Sequence, residues 1–259
     1  MWNELVDIHA QSEMYALKEF KRGKNKLNPI ERKELGSVKG KSLLHLQCHF
    51  GTDTLSWAML GAQVTGVDFS EKAIQLAQSL SAELNILGRF VCCDLYNLPK
   101  HLDEQFDIVF TSYGVLCWLP DLKKWAELIS RYLKPGGVFY IVESHPFSMV
   151  FNEDIKLKDL QVHYPYFDKH TRKFESDGDY ADPNVHVQHK TEYEWTHTIG
   201  EIINSLIDAG LQIEFLHEFP YLCWREFPFM QKSSDGYYRL PKGMPSIPLA
   251  FSLKAKKPA

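Results

Sequence analysis

Two aspartates and one glycine carry the first chemical signal in the chain. Asp68 and Asp94 each close a short apolar run, and Gly51 stands seventeen residues before the first of them. The stretch KSLLHLQCHFGTDTLSWAMLGAQVTGVDFS, residues 41–70, gives this spacing its meaning. Leu43 to Gln47 is an apolar run of the kind a buried strand uses. Cys48, His49, Phe50 and Gly51 form a loop, Thr52 or Asp53 can cap the helix that follows, and Gly61 stops that helix after Leu60. A second strand, Gln63 to Val67, then delivers Asp68 at its tip. Such a strand–loop–helix–strand unit suits a nucleoside. Loop N–H groups and the positive end of the helix face the ligand, while the acid accepts from both ribose hydroxyls. The competing reading is a structural turn in which Asp68 only caps the next helix.

The elements that must position these residues alternate along the chain. Ser70 opens a helix over Glu71 to Leu84. A third strand, Gly88 to Cys92, runs into Cys93-Asp94-Leu95, which puts a second carboxylate at a strand end. Phe106 to Ser112 is nearly all apolar, as a parallel strand covered on both faces should be. Asp121 starts a helix containing Trp125, Leu128, Ile129 and Leu133, and Lys134-Pro135-Gly136-Gly137 turns into a fifth strand, Val138 to Glu143. Five alternations predict a doubly wound parallel sheet with its ligand at the strands' C-terminal ends. Ahead of the sheet, residues 3–22 carry a helical rhythm, and Glu31 to Leu35 reads as a short helix. His9 and Tyr15 fall there, on a helix surface or on a lid folded over the ligand.

From Phe147 to His197 the rhythm breaks. This segment holds nine aromatic residues, five histidines, ten acids and six bases. An aromatic-rich insertion after the fifth strand, on the ligand side, reads as a cap over a pocket. Val187 to Tyr193 alternates like an exposed strand, and Phe174 to Tyr180 could pair with it. The same aromatics would suit a subunit contact, which leaves a homodimer open. Beyond it come a helix at Thr198 to Ala209, a strand at Leu211 to His217, a loop region from Pro220 to Pro245 and a last strand at Ser246 to Lys256.

Composition narrows the function classes. In 259 residues, 44% are hydrophobic and the net charge is −4, which allows a full core and argues against a general nucleic-acid or anionic-membrane surface. The five cysteines lack CxxC spacing. Neither a disulfide framework nor a zinc site fits, and a reducing cytoplasm is the simple inference. The N-terminus is too polar for a signal peptide, and no apolar run is long enough to span a bilayer.

In combination, GAQVTGVDFS, FDIVFTS and LKPGG at these separations resemble the S-adenosylmethionine-dependent methyltransferases of the Rossmann-like class I, most closely over residues 42–143. The resemblance implies a single α/β domain over 1–259: a doubly wound, mostly parallel seven-stranded sheet with an antiparallel last strand. It carries an N-terminal helical lid at 1–40 and a cap at 147–197. It implies S-adenosyl-L-methionine as cofactor, with Asp68 on the ribose, Asp94 on the adenine amino group, and Phe69 and Leu95 flanking the ring. Gln47, Cys48, His49 and Gly51 would pass along the methionine part, Thr111 and Ser112 would border the sulfonium, and Tyr15 would reach the cofactor carboxylate. The chain departs from the family pattern at His45, where an acid is usual, and at Gln47 and His49, where glycines are usual.

Methyl transfer is an in-line displacement in which the protein aligns the acceptor and excludes water. An acceptor needing a base would look to His145, Tyr113 or His197, and less readily to His49. The cap implies a small, flat or apolar acceptor and disfavours anionic ones. His186 and His189 have a ligand-like spacing without supporting acids or cysteines, so no metal is expected. Two rivals stand beside this reading. One is a non-catalytic S-adenosylmethionine-binding protein; the other is a nicotinamide-dependent oxidoreductase, against which the missing second glycine of GxGxxG argues.

Overall fold

The computed structural model describes residues 1–154, 156–175, 178–181 and 185–259. Parts of the expected cap, including residues 176–177 of the Phe174 to Tyr180 pairing, therefore lie outside the described residues. Seven strands form the main sheet: β1 Ser42–Leu46, β2 Gln63–Asp68, β3 Gly88–Cys92, β4 Phe106–Ser112, β5 Leu133–Ser144, β6 Gln212–Phe219 and β7 Ala250–Lys256. Their spatial order is β3-β2-β1-β4-β5-β7-β6. The first five are parallel, and β7 lies antiparallel between β5 and β6. The order reverses at β1 and β4, the crevice where doubly wound sheets hold ligands.

Among the described residues seven α-helices flank the sheet: α1 Trp2–Gln11, α2 Leu17–Lys21, α3 Pro29–Leu35, α4 Thr52–Met59, α5 Glu71–Glu83, α6 Leu122–Tyr132 and α7 Ile199–Asp208. Side chains alternate between the covered faces. Leu44, Leu46, Val109, Phe139 and Ile141 pack with α6 and α7, whereas Leu43, Ile108, Phe110, Tyr140 and Val142 pack on the other side with α3 and Trp57 of α4. The α6 stripe, Leu122, Trp125, Ala126, Ile129 and Tyr132, has the period of a helix that buries one face, and Trp125 is fully buried. α1 docks on the start of α5, where Ser70 Oγ donates to Asn3 Oδ1 (2.7 Å) and Lys72 pairs with Asp7 (2.6 Å).

The turn LKPGG is absorbed into β5, which begins at Leu133 rather than Val138, with a register shift against β4 between Phe106 and Ile108. The last strand starts at Ala250, four residues later than expected. The insertion forms a hairpin of Arg172–Glu175 with Thr191–Glu194, so Phe174 faces Glu192. Neither Thr52 nor Asp53 caps α4. Gly51 does so at φ 76°, a left-handed conformation that suits glycine.

Candidate functional site

The loop after β1 is built from alternating left-handed residues, Gln47 (φ 56°), His49 (φ 50°) and Gly51. Its amides are spent inside the protein. Cys48 N–H donates to Val67 O (2.9 Å), His49 N–H to Asp68 Oδ2 (2.8 Å), Phe50 N–H to His49 Nδ1 (2.7 Å) and Gly51 N–H to Cys48 O (2.9 Å). The sequence expectation of loop donors facing a ligand is therefore corrected at these four positions: the Asp68 carboxylate and the His49 ring take two of the amides, and backbone carbonyls take the other two. What the loop leaves open is an acceptor. Gln47 Nε2 donates to Val115 O (3.1 Å), while Gln47 Oε1 is buried without a partner. A buried acceptor in that state calls for a donor.

Asp68 is half-buried at the tip of β2. Its Oδ1 accepts Ser70 N–H (2.9 Å), its Oδ2 accepts His49 N–H, and the Phe69 amide also acts on the carboxylate, which still retains lone-pair capacity beyond these amides. Burial pushes its pKa up, against the pull of the Ser70 and His49 amides. Asp94, exposed at the end of β3, caps the next turn through Tyr96 N–H (2.9 Å). Phe69, next in sequence to Asp68, is 56% exposed, a flat apolar surface at the tip of β2, while Leu95 is buried. Cys48 turns into the core. A Cβ on Gly66 would lie 2.8 Å from its Sγ and 2.9 Å from the Phe90 ring, which is why β2 carries glycine there.

His45, where the family has an acid, is buried and neutral. Burial holds its pKa at about 3, and its Nδ1 bonds Thr54 Oγ1 at 2.8 Å. Ser112 lies next to it and donates to Asp53 Oδ2 (3.3 Å), whose own pKa burial raises to about 6. Thr111 is fully buried and donates to Leu46 O (3.4 Å), so it braces β1 against β4 instead of bordering the cleft. Tyr15 lies over the loop, stacked on His9 at 4.8 Å between centroids, with its hydroxyl 2.6 Å from that of Tyr180.

The three base candidates differ in setting. His145 was expected over the pocket, but β7 enters beside β5 and draws it the other way: its Nε2 is 3.0 Å from Glu218 on β6, and its Nδ1 accepts Phe147 N–H. His197 Nε2 donates to Leu119 O (2.7 Å). Tyr113 (φ 28°) follows β4, contacts Glu31 Oε2 (3.3 Å), and burial pushes its phenol pKa well up, which removes it as a base.

Three features escaped sequence reasoning. Buried Glu143 accepts N–H groups from Gly114, Val115 (2.8 Å) and Leu116 (3.2 Å), fixing the loop after β4. Glu194, on the half-buried face of the hairpin, is carried to that same loop by Trp195 N–H to Cys117 O (2.8 Å), and burial together with Glu192 and Glu153 raises its pKa to about 7. The third is an Asp179–His9–His49 contact chain, in which the outer residues stand 170 and 40 positions from His9.

Comparison with known proteins follows the same lines. Residues 44–141 match a family described as a methyltransferase domain. A Chromobacterium violaceum protein named ubiquinone biosynthesis O-methyltransferase is 34% identical over 105 residues, 40% of this chain and 45% of that protein. The chain spans about half the length of the curated relatives it matches. An S-adenosylmethionine-dependent methyltransferase structure from Mesorhizobium loti aligns over 92% of this chain and all of that one, at 22% identity and TM-score 0.62. One from Clostridium acetobutylicum covers 97% and 95% at 17% identity and TM-score 0.61. The likeness to these structures establishes a shared fold. Among the described residues no helix is long and apolar enough to cross a membrane.

Proposed function

With residues 44–141 forming a methyltransferase domain of the Rossmann-like class, we propose that the chain is an S-adenosylmethionine-dependent methyltransferase acting on a small molecule. The observation that carries this is the pairing of a ribose-type acid, Asp68, with an orphaned acceptor, Gln47 Oε1, at the ends of neighbouring strands. Hydroxyls of a nucleoside satisfy the first, and the ammonium of its amino-acid tail satisfies the second. A dinucleotide fits less well. Its diphosphate would meet Asp53 in the first turn of α4 and a loop with four amides already engaged.

In this reading Asp68 holds the ribose, Phe69 and Leu95 face the adenine, and Asp94 takes its amino group. The cofactor supplies an electrophilic methyl on a sulfonium. The protein aligns the acceptor against it and keeps water out. Tyr15, Tyr180 and the insertion roof the amino-acid end, and the loop fixed by Glu143 borders the acceptor. The glutamates of the hairpin, Glu192 and Glu194, disfavour an anionic acceptor. Glu194 is the candidate general base, because a carboxylate titrating near neutrality can take a proton at working pH.

The test is a thermal-shift comparison of S-adenosylmethionine with NAD, followed by calorimetry on Asp68→Ala. S-adenosylmethionine at about a hundred times its Kd should stabilise the wild type by about 2.7 kcal/mol, and the variant should lose measurable binding. Stabilisation by NAD alone, or unchanged affinity in the variant, overturns the assignment.

A further inference from the structure

The chain of side chains above the cofactor loop has a proton order that can be read from one end. Phe50 N–H donates to His49 Nδ1, so the neutral His49 ring carries its proton on Nε2. That nitrogen is 2.7 Å from His9 Nδ1, which must then accept, leaving the His9 proton on Nε2, 3.2 Å from Asp179 Oδ2. Asp179 Oδ1 accepts Ala181 N–H (2.8 Å). Every nitrogen and both carboxylate oxygens have complementary partners, with both rings in one tautomer. His9 is fully buried and Asp179 nearly so. Trp2 stands edge-on to both rings at 6.4 and 6.3 Å, and Tyr15 stacks on His9.

This chain ends on a backbone amide, so it cannot hand a proton to an acceptor. Its two ring nitrogens on His49 are both in use, and burial, with the neighbouring His9, holds the His49 pKa at about 3. What it can do is orient. The same His49 whose ring is clamped donates its backbone N–H to Asp68 Oδ2. The segments it joins come from outside the nucleoside-binding unit: α1 supplies His9 and the insertion supplies Asp179. A second tie runs parallel to it, where Gln188 N–H donates to Glu4 Oε1 (2.6 Å) and His189 Nδ1 meets Glu4 Oε2 (2.9 Å).

We propose that His9 and Asp179 are positioning residues for the cofactor site. Through the His49 ring they set the loop that holds the Asp68 carboxylate, and they close the N-terminal helix and the insertion together over the cofactor's amino-acid end. The inference rests on the cofactor reading above and adds to it two residues that touch neither cofactor nor acceptor.

The experiment uses the full chain with His9→Phe, Asp179→Ala and Asp179→Asn. Two measurements are made: S-adenosylmethionine affinity by calorimetry, and histidine 15N spectra of the ligand-free protein. His9→Phe keeps an aromatic ring against Tyr15 but removes both ring-nitrogen hydrogen bonds. It and Asp179→Ala should each weaken binding roughly tenfold to a hundredfold, the range set by a buried hydrogen bond left unmade. The double variant should be no weaker than the worse single one, because both break one chain. Asp179→Asn keeps an oxygen acceptor and should recover most of the affinity lost in Asp179→Ala. The spectra should show both rings protonated on Nε2, with that pattern lost in Asp179→Ala. Affinities within twofold of wild type, additive losses, or rings protonated on Nδ1 overturn the proposal. A wild type that binds no S-adenosylmethionine while keeping the Nε2 pattern overturns the cofactor reading, and with it the positioning role. If His9→Phe does not fold, the Asp179→Ala and Asp179→Asn pair decides.

Discussion

A single carboxylate shows how far position along a strand can be read. Asp68 was legible as a strand-tip residue because it ends an apolar run at a fixed distance from a glycine, and both marks are local. Glu194 was not, since its pKa is raised by burial first and then by Glu192 and by Glu153, forty-one positions away, none of which a local pattern announces. His145 was legible as a strand-end residue, but its direction was decided by β7, whose insertion beside β5 puts Glu218 within reach. If Glu194 is the base, Glu194→Gln should lower kcat by about 10²–10⁴-fold and leave S-adenosylmethionine affinity near wild type. The wild-type kcat/KM should rise with pH through about 7, as the carboxyl loses its proton, and that rise should vanish in the variant. Steady-state kinetics over pH with an acceptor found by screening would read both effects, and unchanged kcat would remove Glu194 from the mechanism.

Elements owe their placement to shorter-range rules, and those were readable with errors at the ends. The strands and the long helices followed apolar periodicity. The turn before β5 misled because Gly136 and Gly137, which read as a loop, sit within the strand's first half. The start of α4 misled because Gly51 takes the capping position by its conformation, leaving Asp53 to Ser112. α7 obeyed its local signal: Thr198 Oγ accepts Glu201 N–H (3.1 Å) and Glu201 returns the bond to Thr198 N–H (2.9 Å). Thr198→Ala should therefore cost about 1 kcal/mol, lowering Tm by roughly 2–4 °C in a chain of this size. Calorimetric scanning checks it, and a loss near zero would mean that packing alone holds the helix start.

For the whole molecule the main hidden variable is charge buried by tertiary assembly. Glu31, on α3, is fully buried against Tyr113. Its pKa is raised to about 8 by that burial, against the pull of Asn28 N–H (2.6 Å). A carboxyl that binds its proton more tightly folded than unfolded favours the fold below its unfolded value, near 4.5, and that contribution is lost as pH climbs to about 8. Denaturant titrations should show part of the stability falling across this window. Glu31→Gln should flatten the fall, and an equal slope in the variant would show that Glu31 is not its source. The contacts between α1 and the insertion had no counterpart in the sequence pattern, because His9 and Asp179 meet across 170 residues and no local rule relates them.

The strand β7 is made after β5 and β6 yet ends between them. While the chain is still on the ribosome, those two earlier strands present open edges with no neighbour until residues 250–256 emerge. Open edges of that kind pair readily with other chains. Yield in the cell should therefore depend on how quickly that last strand is delivered and on chaperones that keep the waiting edges apart, even where the finished protein is stable.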